Sequence, residues 1–222
     1  MKTKITFEDV KNSEEIRTYI KQADMSLKAL GYTEHSFAHV NRCAETAGKL
    51  LEDLGYSAHE IDLAKIAAYM HDIGNVVNRT DHAQSGAVMA FRILDKMGMN
   101  PPDVATIVTA IGNHDETTAF PVNAVAAAVI LADKTDVRRS RVRDRATVHS
   151  DIHDRVNYAV EKTELELNKE AQKLTLYMKI DTEISAVMDY FEIFMGRMLL
   201  CRKAADFLGL RFKLNINGSA LL

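Results

Sequence analysis

Apolar residues recur every three or four positions over most of the first 135 residues, which is the pattern of amphipathic helices. The first stripe lies between Ser13 and Gly31, and the second lies between Thr33 and Gly55. A third stripe follows Ser57, which forms a capping-box sequence with the glutamate three residues later. Because Ser and Thr are good N-caps and Gly commonly follows a helix end, these borders predict three successive helices.

Three more helices are predicted before the helical pattern ends. Asp81 can cap a helix over residues 82–97, and Asn100, followed by proline, can cap another that ends near residue 114. A run of small apolar residues predicts a tightly packed helix over residues 124–135. The first part of the chain is therefore expected to be a bundle of helices.

Beyond residue 158 the hydrophobic period changes from helical spacing to strict alternation. Residues 163–167 and 174–180 predict the two strands of a hairpin. Asp181 or Thr182 can then cap a long helix, and residues 212–216 alternate again. We therefore predict a mainly α fold, with a helical domain followed by a small β-β-α-β appendage.

The composition fits this organisation and excludes several classes of protein. The chain has 222 residues, of which 47% are hydrophobic and 27% are charged, as expected for one domain with an appendage. We place the helical domain at residues 1–158 and the appendage at residues 159–222. A net charge of −3 disfavours nucleic-acid binding driven by global charge. The sequence shows no secretory signal or membrane span, and its two cysteines are far apart, so we expect a cytoplasmic protein.

Histidines are concentrated in the predicted helical domain. Six of the eight lie between positions 35 and 114, and several of them fall near helix ends and beside an aspartate. Imidazole binds transition metals through a neutral ring nitrogen, and an aspartate adds an anionic oxygen that can bridge two ions. A site with histidine and carboxylate but without cysteine indicates a catalytic metal rather than a closed structural zinc.

The motifs HVNRCA, YMHDIGN, DHAQSGA, GNHDE and LADKTDVR occur in this order along the chain. With this set, residues 30–145 resemble the HD-domain superfamily of metal-dependent phosphohydrolases. The resemblance implies a helical bundle with a metal site at its centre. It implies that a first ion is held by His39, His71, Asp72 and Asp133. It further implies that His82 and His114 complete a two-metal site in which Asp72 bridges both ions. The chain departs from a common family pattern at Asn75, where lysine is frequent.

Further residues are candidates for catalysis and substrate binding. Two cations would lower the pKa of a bound water, so that hydroxide attacks a phosphoryl group near neutral pH, with Asp72 between the ions. Lys134 and the arginines that follow it could stabilise the phosphoryl oxygens, although an arginine run is by default a solvated face. Asp115 could orient a ligand histidine, act as a general acid or contact the substrate. His35 could bind substrate or simply be solvated. The substrate-binding candidates are His35, Arg139, Arg141 and Arg143.

The expected activity is hydrolysis of a phosphoester or phosphoanhydride in a small phosphorylated metabolite. A nucleotide or dinucleotide polyphosphate is the expected substrate, because the two-metal arrangement is similar to that of the diadenosine tetraphosphate hydrolases. The expected cofactor is one or two divalent ions of Fe, Mn, Co, Ni or Zn. A di-iron oxygenase and a noncatalytic nucleotide sensor are the alternatives. We expect neither nucleic acid nor membrane as a partner, and the appendage could form a homodimer.

Overall fold

A computed structural model describes residues 5–221 and shows a helical bundle followed by a small sheet. The helices are α1 (Phe7–Asn12), α2 (Glu14–Ala29), α3 (Phe37–Asp53), α4 (Ala58–Met70), α5 (His82–Lys96), α6 (Pro101–Gly112), α7 (Ala124–Lys134), α8 (Ile152–Ala159) and α9 (Val187–Phe207). The strands are β1 (Val160–Asn168), β2 (Lys173–Ile180), β3 (Arg211–Ile216) and β4 (Ser219–Ala220). Short 3-10 turns span Ile73–Val76, Arg139–Arg141 and Arg145–His149. The predicted mainly α class with a β-β-α-β appendage is confirmed, with β4 as an added short edge strand.

Local side-chain caps start three of the helices where the sequence predicts them, at Ser13, Ser57 and Asn100. The hydroxyl of Ser13 accepts a hydrogen bond from the backbone of Ile16. Ser57 and Glu60 form the predicted capping box at the start of α4. Each cap satisfies backbone N–H groups that lack partners in the first helical turn, so a short local signal can predict where a helix begins.

Three predicted caps are corrected by the structure. Helix α3 starts after Ser36 rather than Thr33, because the hydroxyl of Ser36 accepts the backbone N–H of Ala38. Asp81 precedes α5 but has a φ of 56° and makes no side-chain cap. Helix α9 starts after Ala186, since the backbone carbonyl of Asp181 instead closes a turn with the N–H groups of residues 184 and 185.

The sheet is built around one crossover. Strand β1 pairs antiparallel with β2, as the predicted hairpin requires, and β2 pairs in parallel with β3. Because two parallel neighbours need a long connection, α9 crosses between them and packs on one face of the sheet. Leu176 and Leu214, which are partners across β2 and β3, both face this helix side and are buried.

Helix α7 lies between two hydrophobic clusters. Its residue Val129 belongs to a core formed mainly by α1–α6, whereas Ile130 and Leu131 belong to a second core with α8, α9 and the sheet. The polar end of α7 is therefore close to residues of both α4 and α9. In the part of the chain that the structure describes, no helix has the length and apolar character needed to cross a bilayer.

Candidate metal centre

Four of the predicted ligands converge from α3, the end of α4 and the end of α7. The Nε2 atom of His39 lies 3.3 Å from Nε2 of His71 and 3.4 Å from Oδ1 of Asp133. Nε2 of His71 lies 3.2 Å from Oδ2 of Asp72. We call these four atoms the first half-site. In octahedral or tetrahedral sites with bonds of about 2.1 Å, adjacent ligand atoms lie about 3.0 to 3.4 Å apart, close to this spacing.

The other oxygen of Asp72 belongs to a second group of ligand atoms. Nε2 of His82, at the start of α5, lies 3.1 Å from Nε2 of His114, just beyond the end of α6. Oδ1 of Asp72 lies 3.6 Å from Nε2 of His82 and 4.0 Å from Nε2 of His114. We call these three atoms the second half-site. One carboxylate thus serves both half-sites, as a bridging ligand would.

All four histidines present the same ring nitrogen to the centre. Their Nδ1 atoms face oxygen acceptors, namely Ala68 O at 2.7 Å from His71, Arg79 O at 3.0 Å from His82, Ile111 O at 2.6 Å from His114 and Asp136 Oδ2 at 2.8 Å from His39. A proton on Nδ1 satisfies these acceptors and leaves Nε2 with a free lone pair. This tautomer is the one that binds metal, and the acceptors fix the orientation of each ring.

A buried atom without a partner supports the same interpretation. Oδ2 of Asp72 is buried and has no hydrogen-bond partner among residues 5–221. A buried carboxylate oxygen is costly unless a donor or a cation stabilises it. Together with the imidazole and carboxylate donors, this buried oxygen fits a site for a divalent metal ion.

The electrostatics of the first half-site favour a positive charge. Burial alone would lower the pKa of His71, but the carboxylates of Asp72 and Asp133 outweigh it and raise the pKa of His71 to about 10. Either a proton on Nε2 or a divalent cation supplies that charge. At the second half-site, burial and the neighbouring charges of His71 and Lys134 lower the pKa of His114 to about 3, so its ring stays neutral.

Cys43 is an additional neighbour that the sequence pattern did not single out. Its thiol lies 3.7 Å from both ring nitrogens of His39. Burial and the nearby carboxylates of Asp133 and Asp136 hold the pKa of the Cys43 thiol well above its usual range. Cys43 belongs, with His39, His71 and Asp133, to one buried group of side chains that could hold an ion, so the structure does not support the expectation of a site without cysteine.

The metal centre opens into a cavity of about 530 Å³. Of the predicted substrate and catalytic residues, His35, Lys134 and Arg141 line it, together with Asp72. The ring of His35 packs edge-on against His39, with the centroids 5.5 Å apart. Nζ of Lys134 lies 2.7 Å from Oδ2 of Asp133.

The structure places the other predicted residues outside the cavity wall. Nε of Arg139 donates to the carbonyl of Tyr158 at 2.6 Å, and Nε of Arg143 donates to the carbonyl of Tyr32 at 2.9 Å. Asp115 accepts a hydrogen bond from the hydroxyl of Thr117 at 2.6 Å, in a turn after α6. Most of the arginine run is therefore used to hold neighbouring loops, since each of these side chains already has protein partners.

Three residues that sequence reasoning missed have clear places in the site. Arg79 and Arg197 line the cavity, and Asp136 is the buried partner of His39. A possible signal for Asp136 is its position just after the predicted ligand Asp133. Arg197 lies in a long helix whose apolar stripe indicates only core packing, and Arg79 lies in a loop without periodicity.

Comparison with known proteins identifies related chains. The model of a family described as HD domain matches residues 36–192, more than half of the chain. An uncharacterized protein of Methanocaldococcus jannaschii is 25% identical over 185 residues, which cover 73% of this chain and 71% of that protein. A crystal structure of a predicted HD superfamily hydrolase from an uncultured Thermotogales bacterium is 26% identical. The match covers 56% of this chain and 67% of the chain in that structure, with a TM-score of 0.45.

Proposed function

The chain belongs to the HD domain family, and from that premise we propose that it is a metal-dependent phosphohydrolase with a two-metal centre. The observation that carries the proposal is the pair of half-sites that share Asp72, with four imidazoles turned toward them. When bound, two divalent cations supply Lewis acidity, which activates water and polarises a phosphoryl group. The same wall of the cavity carries the cationic side chains that a phosphate needs.

The side chains around the half-sites have distinct roles in this proposal. His39, His71 and Asp133 would hold one ion, His82 and His114 would hold the other, and Asp72 has an oxygen in each half-site. The carboxylates of Asp133 and Glu116 raise the pKa of Lys134 despite its burial, so the ammonium keeps its proton at neutral pH. Lys134 therefore orients Asp133 through a permanent charge rather than acting as a general acid.

Asp115 is also unsuited to the role of general acid. Burial would raise its pKa, but the hydrogen bond from Thr117 and the charge of Lys134 lower it below the usual value. An ionised carboxylate has no proton to give to a leaving group. We therefore assign Asp115 to fixing the turn after α6 rather than to catalysis.

We propose a nucleotide or dinucleotide polyphosphate as the substrate. The cavity volume of about 530 Å³ lies in the range of small-molecule sites, and four Lys and Arg side chains line it. Polyphosphates carry closely spaced negative charges, which metal ions at the two half-sites and cationic side chains in the wall would stabilise together.

The test is phosphate release from a panel of nucleotides and dinucleotide polyphosphates, before and after removal of metal with a chelator. We expect release that a chelator abolishes and that Mn or Co restores. His71→Ala should lose both metal and activity. His59→Ala is the matched control, because His59 is paired with Asp103 on the surface. Release that survives both chelation and His71→Ala would refute the proposal, and iron-dependent consumption of dioxygen would indicate an oxygenase instead.

The homodimer expected from the sequence stays a prediction. Helix α9 exposes a row of apolar side chains on its outer face, namely Met188, Met195 and Leu199. Sedimentation of the purified protein would show whether this face pairs with a second copy.

A further inference from the structure

Arg79 lies in the loop before α5 and reaches the edge of the metal centre. One of its terminal nitrogens, Nη1, is 3.4 Å from Nε2 of His82, a ligand atom of the second half-site. The same nitrogen is 3.4 Å from Oδ1 of Asn75, whose amide donates to Oδ1 of Asp72 at 2.9 Å. The guanidinium is therefore close to the place where a group bound at the second half-site would lie.

The charge of Arg79 is uncompensated, unlike that of the other cations at the cavity. The other three Lys and Arg side chains in its wall have carboxylate partners, which are Asp133 for Lys134, Glu116 for Arg197 and Asp136 for Arg141. Within residues 5–221, no carboxylate oxygen lies within 4.0 Å of the Arg79 guanidinium. A half-buried guanidinium without an acidic partner is a good site for an anionic ligand.

The guanidinium is also held in position by an aromatic ring. It lies over the ring of Tyr32, 5.5 Å from the centroid. The backbone of Tyr32 is held in place, since its N–H donates to Leu27 O at 2.9 Å and its carbonyl accepts from Arg143 Nε at 2.9 Å. A cation over a ring face is attracted to the ring without using its N–H donors, and the planar fork of a guanidinium matches two oxygens of a phosphate.

We propose that Arg79 binds the phosphoryl oxygens of the substrate beside the second half-site. This inference rests on the proposed phosphohydrolase function and adds the residue that recognises the phosphate. The sequence pointed to Lys134 or the arginine run for this task. In the structure Lys134 is neutralised by Asp133, and Arg139 and Arg143 hold loops outside the cavity.

The experiment measures the affinity of the metal-loaded protein for inorganic phosphate by calorimetry, together with KM, kcat and metal content. Arg79→Met keeps much of the side-chain volume but removes the charge. Arg79→Lys restores the charge without the planar fork. Arg92→Met is the matched control, because Arg92 is an exposed arginine of α5 whose nearest carboxylate is Glu15.

We expect Arg79→Met to weaken phosphate binding and to raise KM roughly 10- to 100-fold, the range for loss of a charged hydrogen bond. Its metal content should equal that of the wild type. Arg79→Lys should recover part of the affinity, and Arg92→Met should behave as the wild type does.

Three results would overturn the assignment of Arg79. First, Arg79→Met could bind phosphate as tightly as the wild type does. Second, the wild type could bind no phosphate. Third, Arg79→Met could lose phosphate affinity only because it has lost metal. The last result would make Arg79 a structural support of His82. Failure of the proposed function would give a different result. The wild type would release no phosphate from any substrate, but Arg79→Met would still bind inorganic phosphate more weakly than the wild type.

Discussion

Replacement of Asp136 by asparagine should weaken metal binding without removing any proposed ligand. Oδ2 of Asp136 accepts Nδ1–H of His39 at 2.8 Å, and its Oδ1 accepts from Nε of Arg138 at 2.9 Å and lies 3.1 Å from Nε of Arg42. Asparagine has nearly the same size, but it has no charge and only one acceptor oxygen. Loss of such a partner of a ligand histidine typically lowers metal affinity about 10- to 100-fold, which is about 1.4 to 2.7 kcal/mol.

The same substitution should lower the free energy of unfolding of the metal-free protein. The guanidinium of Arg138 is largely buried and loses a charged hydrogen bond, whereas Arg42 is half exposed and can be solvated. We expect a loss of about 1.5 to 3 kcal/mol, the range for one charged hydrogen bond.

This difference in stability should depend on pH. Burial would raise the pKa of Asp136, but the hydrogen bond with His39 and the charges of Arg141 and Arg138 hold it well below its usual range. A carboxylate with a lowered pKa stabilises the fold above its unfolded pKa of about 3.9, and this contribution is lost as the pH falls toward the folded pKa. The difference in free energy of unfolding between the wild type and Asp136→Asn should therefore be largest near neutral pH and should shrink in acid.

The assays are chelator competition for metal affinity and urea unfolding across pH. Asp95→Asn is the control, because Asp95 is an exposed aspartate of α5. If Asp136→Asn is destabilised but binds metal as tightly as the wild type, then Asp136 does not orient His39. If the stability difference grows in acid, the ionised carboxylate of Asp136 does not stabilise the fold in the way inferred here.

Other predictions follow from packing and loop contacts. A Cβ at Gly74 would overlap the backbone oxygen of His82, so Gly74→Ala should push the turn at residues 73–76 away from α5. We expect the free energy of unfolding to fall by at least about 2 kcal/mol and the metal stoichiometry to fall as well. Urea unfolding and elemental analysis would measure the two effects. Arg143→Met removes hydrogen bonds to the loop before α3, so proteolysis of that loop should accelerate and KM should rise while metal content stays constant. Burial raises the pKa of the Cys201 thiol to about 12, so neither buried cysteine should react with a thiol reagent at about pH 8 until denaturant is added; rapid labelling of the native protein would contradict this burial.

Much of the fold could be predicted because its signals are local. The cap at Ser57 and the Asn100-Pro101 pair determine where α4 and α6 begin, and both lie within one turn of the groups they satisfy. The candidate ligands could be proposed as a set because their motifs occur along the chain in an order that resembles the HD-domain superfamily. The starts of α3 and α9 were missed because several nearby residues could cap a helix: Ser36 caps α3 instead of Thr33, and α9 begins after Ala186 with no side-chain cap.

The roles of the arginines could not be predicted, because the contacts of a long side chain depend on which partners the fold brings within its reach. Arg143 bonds to carbonyls of the loop before α3, more than a hundred residues earlier in the chain. Arg79 faces the cavity with its guanidinium over the ring of Tyr32, which lies 47 residues earlier in the chain. Neither contact leaves a signal in the spacing of residues along the sequence. The structure is therefore needed to find which cationic side chains line the cavity.

The central claim is that one carboxylate, Asp72, serves two metal half-sites. Elemental analysis of the wild type beside His114→Ala, after the same reconstitution with metal, tests it most directly. We expect about two equivalents per chain in the wild type and about one in the variant, which keeps the first half-site intact. Equal stoichiometry in the two proteins, whether one or two equivalents, would contradict the claim.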